Sequence, residues 1–167
     1  RYGKARVMDA TSGEELLAFA PHSDDIWHAT WSPDGTRIVS GDESGEVKVW
    51  DATTGAEVLS IRAPGAVYSV NWSPDGKYIA YVVEYLDPSC KPCRSVSLVR
   101  LSDGLTFMLE TPDKMDSDAP RWTQDGRLLV NVYPGEPADG VAYIYDISGW
   151  GQVATGVYVL SSGLDGQ

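Results

Sequence analysis

The feature that most constrains the fold of this 167-residue chain is a pentapeptide that recurs along it. Trp-Ser-Pro-Asp-Gly at residues 31–35 returns at 72–76 and, as Trp-Thr-Gln-Asp-Gly, at 122–126, which gives offsets of 41 and 50 residues. Proline presets φ for a tight turn, aspartate hydrogen-bonds the local backbone, and glycine adopts the left-handed conformation. A period of this size predicts a repeat architecture with one such turn in each copy. The turn residues are Pro33, Asp34, Gly35, Pro74, Asp75, Gly76, Asp125 and Gly126.

The first complete unit reads as four short strands, which we label a to d in chain order. Apolar or alternating runs at residues 26–31, 37–40, 47–50 and 57–61 are separated by turns rich in Gly, Asp, Ser and Thr. A second marker, Asp-Ala-Thr-Thr-Gly at 51–55, follows strand c and keeps the same spacing. Both markers stretch most in the second interval, so we expect an insertion in the second complete unit. The second marker recurs in related forms at 9–13, 101–104 and 146–149.

These markers resemble the WD-repeat β-propellers and their bacterial TolB-type relatives, and the resemblance covers essentially the whole chain. The family places a Gly-His pair before strand a, a Ser-Pro-Asp-Gly turn after it, and Trp-Asp at the end of strand c. This chain has Pro21-His22, the turn at 32–35 and Trp50-Asp51 in those places. Other residues replace that tryptophan in the other units, which points toward the TolB-type propellers. The residues found there are Met8, Val99 and Tyr145.

The resemblance also implies a polar network that locks a blade, formed by a His, a strand-b Ser, a turn Asp and the Trp. His22, Ser40 and Trp50 match three of these positions. Ser44 occupies the position expected for the turn aspartate. We therefore expect a partial network in the first complete blade and none in the other blades.

The units predict an all-β fold, a β-propeller segment of about three and a half four-stranded antiparallel blades that together form one partial propeller domain. Propellers close with about four to eight blades. We therefore expect the ring to be completed by the rest of a longer chain, by further copies of this chain or by another chain, and we favour the first. The expected last strand spans residues 153–160. The divisions are a half blade with strands c and d at 1–23, a blade at 24–63, a blade with an inserted cysteine loop at 64–113, and a blade with a tail at 114–167.

Charge and hydropathy exclude some classes of partner. Lys and Arg number 13 against 24 Asp and Glu, and the resulting net charge of −11 repels a phosphate backbone, which excludes nucleic acid. No apolar run approaches the roughly 20 residues of a membrane span. The d–a and b–c loops of a propeller share one face, where acidic residues favour a basic protein partner or a cation such as Ca²⁺, or serve solubility alone. The candidate partner face comprises Asp24, Asp25, Asp42, Glu43, Glu84, Tyr85, Asp87, Asp118, Glu136, Asp139 and Trp150.

Both cysteines, Cys90 and Cys93, lie in the inserted loop. Haem attachment is excluded because Arg94 stands where that motif needs histidine, and a redox dithiol would need a helix that this chain lacks. Zinc would need two further ligands, and the two histidines, His22 and His28, both belong to the preceding blade. A local disulfide or two free thiols are left, and we favour the disulfide. A disulfide favours an extracytoplasmic location, periplasmic or secreted, as the TolB-type resemblance does.

The aromatic residues repeat with the blades. Trp31, Trp72 and Trp122 hold equivalent places before the a–b turn, where we expect them to pack between neighbouring blades. Trp27 and Tyr68 are also equivalent to each other. Alternation along the strand turns them away from their apolar neighbours, so they pack in another gap between blades or act as binding aromatics near the loops.

Catalytic motifs are absent from the sequence. It contains no Gly-x-Ser-x-Gly nucleophile elbow, no phosphate-binding Gly-x-x-x-x-Gly-Lys loop and no His-Glu-x-x-His zinc motif. We therefore predict a non-catalytic protein-interaction or scaffold module without a cofactor. The alternatives are the propeller domain of a larger prolyl-oligopeptidase-like hydrolase and a propeller that binds a cation or another ligand.

Overall fold

The computed structural model describes residues 4–19, 22–85, 93–109, 116–117, 120–133 and 141–147. These residues form fourteen β-strands and contain no helix. In particular, no helix among them is long and apolar enough to cross a membrane. The strands are β1 (Ala5–Met8), β2 (Glu15–Phe19), β3 (Ile26–Trp31), β4 (Arg37–Asp42), β5 (Glu46–Asp51), β6 (Glu57–Arg62), β7 (Ala66–Trp72), β8 (Tyr78–Tyr85), β9 (Cys93–Arg100), β10 (Thr106–Met108), β11 (Asp116–Ser117), β12 (Arg121–Trp122), β13 (Leu128–Tyr133) and β14 (Val141–Tyr145).

The strands form separate antiparallel sheets, and in the first two complete sheets each strand pairs with the next one along the chain. The first complete sheet has the order β3-β4-β5-β6 and the second has the order β7-β8-β9-β10, while β1 and β2 form a two-stranded sheet. Short connections between consecutive antiparallel strands are what a propeller blade requires. The predicted all-β fold of four-stranded blades is confirmed, and the strands that the structure describes do not close a ring.

The third sheet departs from the predicted plan of four unbroken strands. β11 and β12 both pair with β13, through Asp116↔Tyr133 and Trp122↔Leu128, so they are two halves of an interrupted strand a. β14 pairs with β13 as strand c does with strand b elsewhere. The expected last strand at 153–160 lies outside the described residues.

The repeated turns form as the sequence predicts. Gly35 has φ of 69° and its amide donates to the carbonyl of Ser32 at 2.9 Å. The Ser32 hydroxyl donates to the Asp34 carboxylate at 2.6 Å and accepts from the Arg37 amide at 2.9 Å. Hydrogen bonds from Ser32 and Thr36 lower the pKa of Asp34 to about 2. The a–b and c–d turns meet on one side of the blade, where Ala52 N donates to Thr36 O at 2.9 Å, and we call this side the turn face.

Valines fill the space between the first and second complete blades. Val39, Val49, Val67 and Val70 are all almost fully buried in one cluster with Trp72. Gly41 permits this close packing, because a Cβ atom there would overlap the side chain of Val67. The two blades are therefore held together by branched apolar side chains meeting a strand that carries a glycine.

Tryptophans also tie each blade to the one before it. The indole nitrogen of Trp72 donates to the carbonyl of Thr30 at 3.3 Å, and that of Trp122 donates to the carbonyl of Asn71 at 3.3 Å. Trp31 differs from the predicted packing because 49% of it is exposed. Among the described residues, the sheet before β3 consists of β1 and β2 alone, and its residues Val7 and Leu17 belong to a cluster that includes Ile38.

Candidate functional site

A buried chain of polar side chains crosses the first complete blade. Trp50 Nε1 lies 2.9 Å from Ser40 Oγ, and Ser40 Oγ lies 2.6 Å from His22 Nε2. The other ring nitrogen of His22 lies 3.0 Å from Asp42 Oδ2. Indole can only donate and carboxylate can only accept, so Trp50 donates to Ser40 and His22 Nδ1 donates to Asp42. Burial lowers the pKa of His22 and so favours the neutral ring, whose Nε2 then accepts the proton of the Ser40 hydroxyl.

Asp42 completes the network that the sequence predicted to be partial. The prediction placed Ser44 at the aspartate position, but Asp42 ends β4 opposite Ile26 and so faces the segment that holds His22. Ser44 instead donates its hydroxyl to both carboxylate oxygens of Asp42, at 3.0 and 3.1 Å, and the Glu46 amide donates to Oδ1 at 2.7 Å. The carboxylate therefore has donors on both oxygens.

The same geometry removes Asp42 from the candidate partner face. Its side chain is not exposed to solvent, and so it is not available to a partner. Burial lowers the pKa of His22 below its usual value near 6.5, and the hydrogen bond to Asp42 opposes that shift only in part. Asp42 and His22 thus fix the d–a and b–c loops to each other.

His22, Asp42 and Glu46 also bring potential metal-ligating atoms within 4.8 Å of one another. Both ring nitrogens of His22 already have hydrogen-bond partners, so a metal ion would have to displace the proton shared with Asp42. The cluster is therefore explained by the network. The sequence-based suggestion of calcium on the loops stays a prediction.

The loops held by this network present an acidic edge, on the side of the blade that we call the loop face. The Glu43 amide donates to the carbonyl of Asp25 at 3.1 Å, and the Asp25 amide donates to the Asp24 carboxylate at 3.0 Å. Asp25 and Glu43 are exposed, and Asp24 is half-buried. Three of the candidate partner residues therefore lie next to one another at this edge.

Two aromatic side chains lie beside the acidic edge, at the boundary between the first and second complete blades. Trp27 and Tyr68 both occupy β-bulges, where the strand pairing skips a residue. Their ring centroids are 4.2 Å apart with an angle of 69° between the planes, and 39% of Trp27 is exposed. The extra residue of a bulge re-aims its side chain, which explains how both rings meet at the blade boundary.

Arg94 and Glu84 cover the other part of Tyr68. The Arg94 guanidinium lies 4.3 Å from the centre of the Tyr68 ring, and its Nε donates to Glu84 Oε2 at 3.1 Å. Partial desolvation, and next a hydrogen bond to Glu84, raise the pKa of the Tyr68 hydroxyl. Tyr68 thus contacts both the Trp27 ring and the Arg94 guanidinium, and these two contacts restrict its orientation.

Several candidate residues from the sequence lie outside the residues that the structure describes. The sequence does not predict Arg94 as a site residue. In the structure Arg94 pairs with Glu84 across two strands and contacts Tyr68, and the alternation of residues along strand c is the sequence pattern that could have indicated this. Outside the described residues lie Asp87, Cys90, Asp118, Glu136, Asp139 and Trp150, together with the side chains of Tyr85 and Cys93.

The chain is similar to known repeat proteins. A family model described as "WD domain, G-beta repeat" matches residues 13–51 and 55–83. Eukaryotic translation initiation factor 3 subunit I of Vanderwaltozyma polyspora is 26% identical over 163 residues, which cover 98% of this chain and 41% of that protein. Angio-associated migratory cell protein of Homo sapiens is 39% identical over 153 residues, which cover 86% of this chain and 30% of that protein.

A solved structure shares the architecture. The β-propeller domain of Cps50 (Swd1) from Myceliophteria thermophila superposes with a TM-score of 0.71 at 20% identity, and the match covers 86% of this chain and 46% of that one. The chain thus spans less than half the length of the relatives named above. These relatives are eukaryotic, and they lend no support to the expected drift toward TolB-type or bacterial-type propellers.

Proposed function

We propose, because this chain belongs to the WD-repeat β-propeller family, that it is a non-catalytic module that binds a protein partner on its loop face. The observation that carries the proposal is Trp27, a large aromatic side chain that is 39% exposed at the boundary between two blades. Tryptophan is enriched among the residues that dominate binding energy at protein interfaces. One relative is named as a subunit of translation initiation factor 3, which describes a protein that assembles with others.

The surroundings of Trp27 favour binding because they hold its neighbours in place. Tyr68 meets Trp27 edge to face and is itself fixed by Arg94 and Glu84. A surface that is ordered before binding loses less conformational entropy when a partner arrives. An exposed tryptophan in a rigid setting is therefore a better contact than the same residue on a free loop.

The turn face offers less to a partner than the loop face. Its aspartates already accept hydrogen bonds within their own turns, as Asp51 does from the amides of Thr53 and Thr54 at 3.0 and 2.8 Å. These bonds lower the pKa of each carboxyl group, which shows that local donors stabilise the charged forms. The aspartates with local donors are Asp34, Asp51, Asp75 and Asp103.

The non-catalytic part of the proposal rests on how the described groups are used. His22 is the buried histidine, and both of its nitrogens have partners in the network, so it is not poised to accept a proton from a substrate. Ser40 gives its proton to His22 but lies buried inside the blade, away from any substrate. This arrangement stabilises the blade and offers no accessible nucleophile.

Photo-crosslinking tests which face binds. Benzoylphenylalanine is placed at Asp25 on the loop face or, as a matched control, at Thr36 on the turn face, since both residues are exposed. Each protein is irradiated in extract of the source organism. We expect covalent protein adducts from position 25 and few from position 36. Equal adducts from both positions, or adducts from position 36 alone, would contradict a binding role for the loop face.

A further inference from the structure

The first two complete blades can be superposed residue by residue through their strand pairings. Trp31 pairs with Ile38 in one blade and Trp72 with Ile79 in the other, so equivalent residues on strands a and b differ by 41 positions. Trp27 then corresponds to Tyr68, and Glu43 corresponds to Glu84. The two blades therefore carry an aromatic residue and a carboxylate at matching places on the loop face.

Strand c breaks this correspondence at one position. Val47 pairs with Gly41, and Val96 pairs with Val82, so these two valines are equivalent. Two residues earlier, the second blade has Arg94 and the first blade has Gly45. A Cβ atom on Gly45, whose φ is 95°, would lie 2.7 Å from the carbonyl oxygen of Gly65. The first blade therefore cannot carry a side chain where the second carries its arginine.

In the second blade the three groups form one assembly. The guanidinium of Arg94 lies over the Tyr68 ring at 4.3 Å and binds Glu84 at 3.1 Å. The ring attracts the cation through its quadrupole, and the carboxylate supplies the opposite charge. The first blade has an aromatic residue and a glutamate at the corresponding positions, Trp27 and Glu43, and a glycine where the second blade has the arginine.

We propose that Trp27 and Glu43 bind an arginine side chain of a protein partner, in the place that Arg94 takes in the next blade. This inference rests on the proposed function and names the chemistry of the partner. Tryptophan is the strongest aromatic partner for a cation. The planar guanidinium group both stacks on rings and binds carboxylates through its fork of donors, which lysine cannot do.

The charges at the acidic edge agree with an arginine ligand. Across the part of the chain that the structure describes, no Lys, Arg or His lies within 4.0 Å of the carboxylates of Asp24, Asp25 or Glu43. Glu84, the counterpart of Glu43, is paired with its own arginine. A basic partner would therefore meet uncompensated negative charge beside an exposed ring, in a protein of net charge −11.

The direct test follows the indole N–H signals of the ¹⁵N-labelled full chain during titration with N-acetyl-arginine amide. The Trp27 signal is assigned from the Trp27→Phe variant. We expect it to shift saturably in the millimolar range, while the signal of Trp31, which is also exposed, stays in place. N-acetyl-citrulline amide keeps the shape of the ligand without its charge and should shift the Trp27 signal far less. An unmoved Trp27 signal, or an equal shift with citrulline, would overturn the inference.

A matched pair of variants tests the carboxylate. Glu43→Gln should weaken binding of N-acetyl-arginine amide about two- to fivefold, as expected for an exposed charge pair. Glu14→Gln, which removes an exposed glutamate from the turn between β1 and β2, should leave the affinity unchanged. Equal affinities for the wild type and Glu43→Gln would remove Glu43 from the proposed site.

The inference and the proposed function fail in different experiments. Adducts from position 25 without any response of Trp27 to N-acetyl-arginine amide would leave the loop face as the binding face and overturn the arginine site. A clear Trp27 response without adducts from position 25 would support the arginine site and contradict the broader proposal of a protein partner on that face.

Discussion

The Nδ1 atom of His22 lies 3.0 Å from the Oδ2 atom of Asp42, and neither side chain is exposed to solvent. This contact joins the loop before strand a to the end of strand b. The same two loops carry the acidic edge beside Trp27. The stability of the blade and the shape of the proposed binding surface therefore depend on one buried network.

The network predicts a large effect for Asp42→Asn. The amide nitrogen would face donors, the Ser44 hydroxyl or the Glu46 amide, that now bind a carboxylate oxygen. We expect the free energy of unfolding to fall by about 2–4 kcal/mol, the usual range for breaking a buried, charged hydrogen-bonded pair. Urea denaturation measures this change.

Ser44→Ala is the control for that measurement. It removes one donor to a carboxylate that keeps its bonds from His22 and from the Glu46 amide. The expected loss is about 1 kcal/mol or less. If Ser44→Ala cost as much as Asp42→Asn, the aspartate position of the network would be at residue 44, as the family pattern predicts.

The pH dependence of stability reports on His22. Burial lowers the pKa of His22 in the folded state, so the unfolded chain takes up a proton at a higher pH than the folded chain does. Stability from this group is complete above about pH 6.5 and declines as the pH falls toward the folded-state pKa. Urea denaturation between pH 7.5 and 5, in wild type and His22→Gln, should show this decline in the wild type alone.

The opposite slope would reject the neutral histidine. If stability rose as the pH fell through this window, His22 would be protonated in the folded state and would form an ion pair with Asp42. Measurements stay above about pH 5, because carboxyl groups near their usual pKa of about 4 titrate below it. Asp34, with its pKa lowered to about 2, adds a further loss of stability in that acid range.

The hydrogen bonds from indole nitrogens to carbonyls of the preceding blade predict unequal losses of stability on substituting Trp72 and Trp31, which hold equivalent positions. Trp72→Phe removes a donor to the Thr30 carbonyl, and 8% of Trp72 is exposed, so we expect a loss of about 1–2 kcal/mol. Trp31→Phe acts on a half-exposed ring and should cost about 0.5 kcal/mol or less. Thermal and urea denaturation measure the loss of stability in both variants. Equal losses would argue against a stabilising hydrogen bond between Trp72 and Thr30.

The repeated turns predict a purely conformational cost for Gly35→Val. A Cβ atom at Gly35 meets nothing within 4 Å, so only the φ of 69° opposes a side chain there. A β-branched residue at this φ should reduce the free energy of unfolding by about 1–3 kcal/mol. Gly35→Asn, which tolerates the left-handed region, should cost clearly less. Equal melting temperatures for Gly35→Val and wild type would contradict the turn assignment.

The repeat spacing predicts the turns and strands of the blades from the sequence. The turn at 32–35 and the strands of the first complete blade follow from patterns within one unit, and the equivalence of Trp27 with Tyr68 follows from the spacing between two units. Trp31 shows the limit of that reasoning, because its exposure depends on the strands of a neighbouring blade and not on its own unit. An identical motif thus has different burial in different blades.

The site contained two residues whose roles depend on pairing between strands. The position of Asp42 after strand b in the sequence predicts a surface residue, yet the register Ile26↔Asp42 turns it inward toward His22. Arg94 stood in a loop by sequence, but β9 extends through it and places it opposite Glu84. Register is a property of two strands together, which a single sequence pattern does not specify.

Binding through Trp27 is tested by comparing the proteins retained by immobilised wild type, Trp27→Ala and Phe107→Ala. Trp27 and Phe107 are 39% and 38% exposed, so the two substitutions remove similar aromatic surface, but Phe107 lies on the outer strand β10. Circular dichroism first establishes that both variants are folded. We predict that Trp27→Ala loses proteins that wild type and Phe107→Ala both retain. Retention of the same proteins in the same amounts by Trp27→Ala would contradict binding through the loop face.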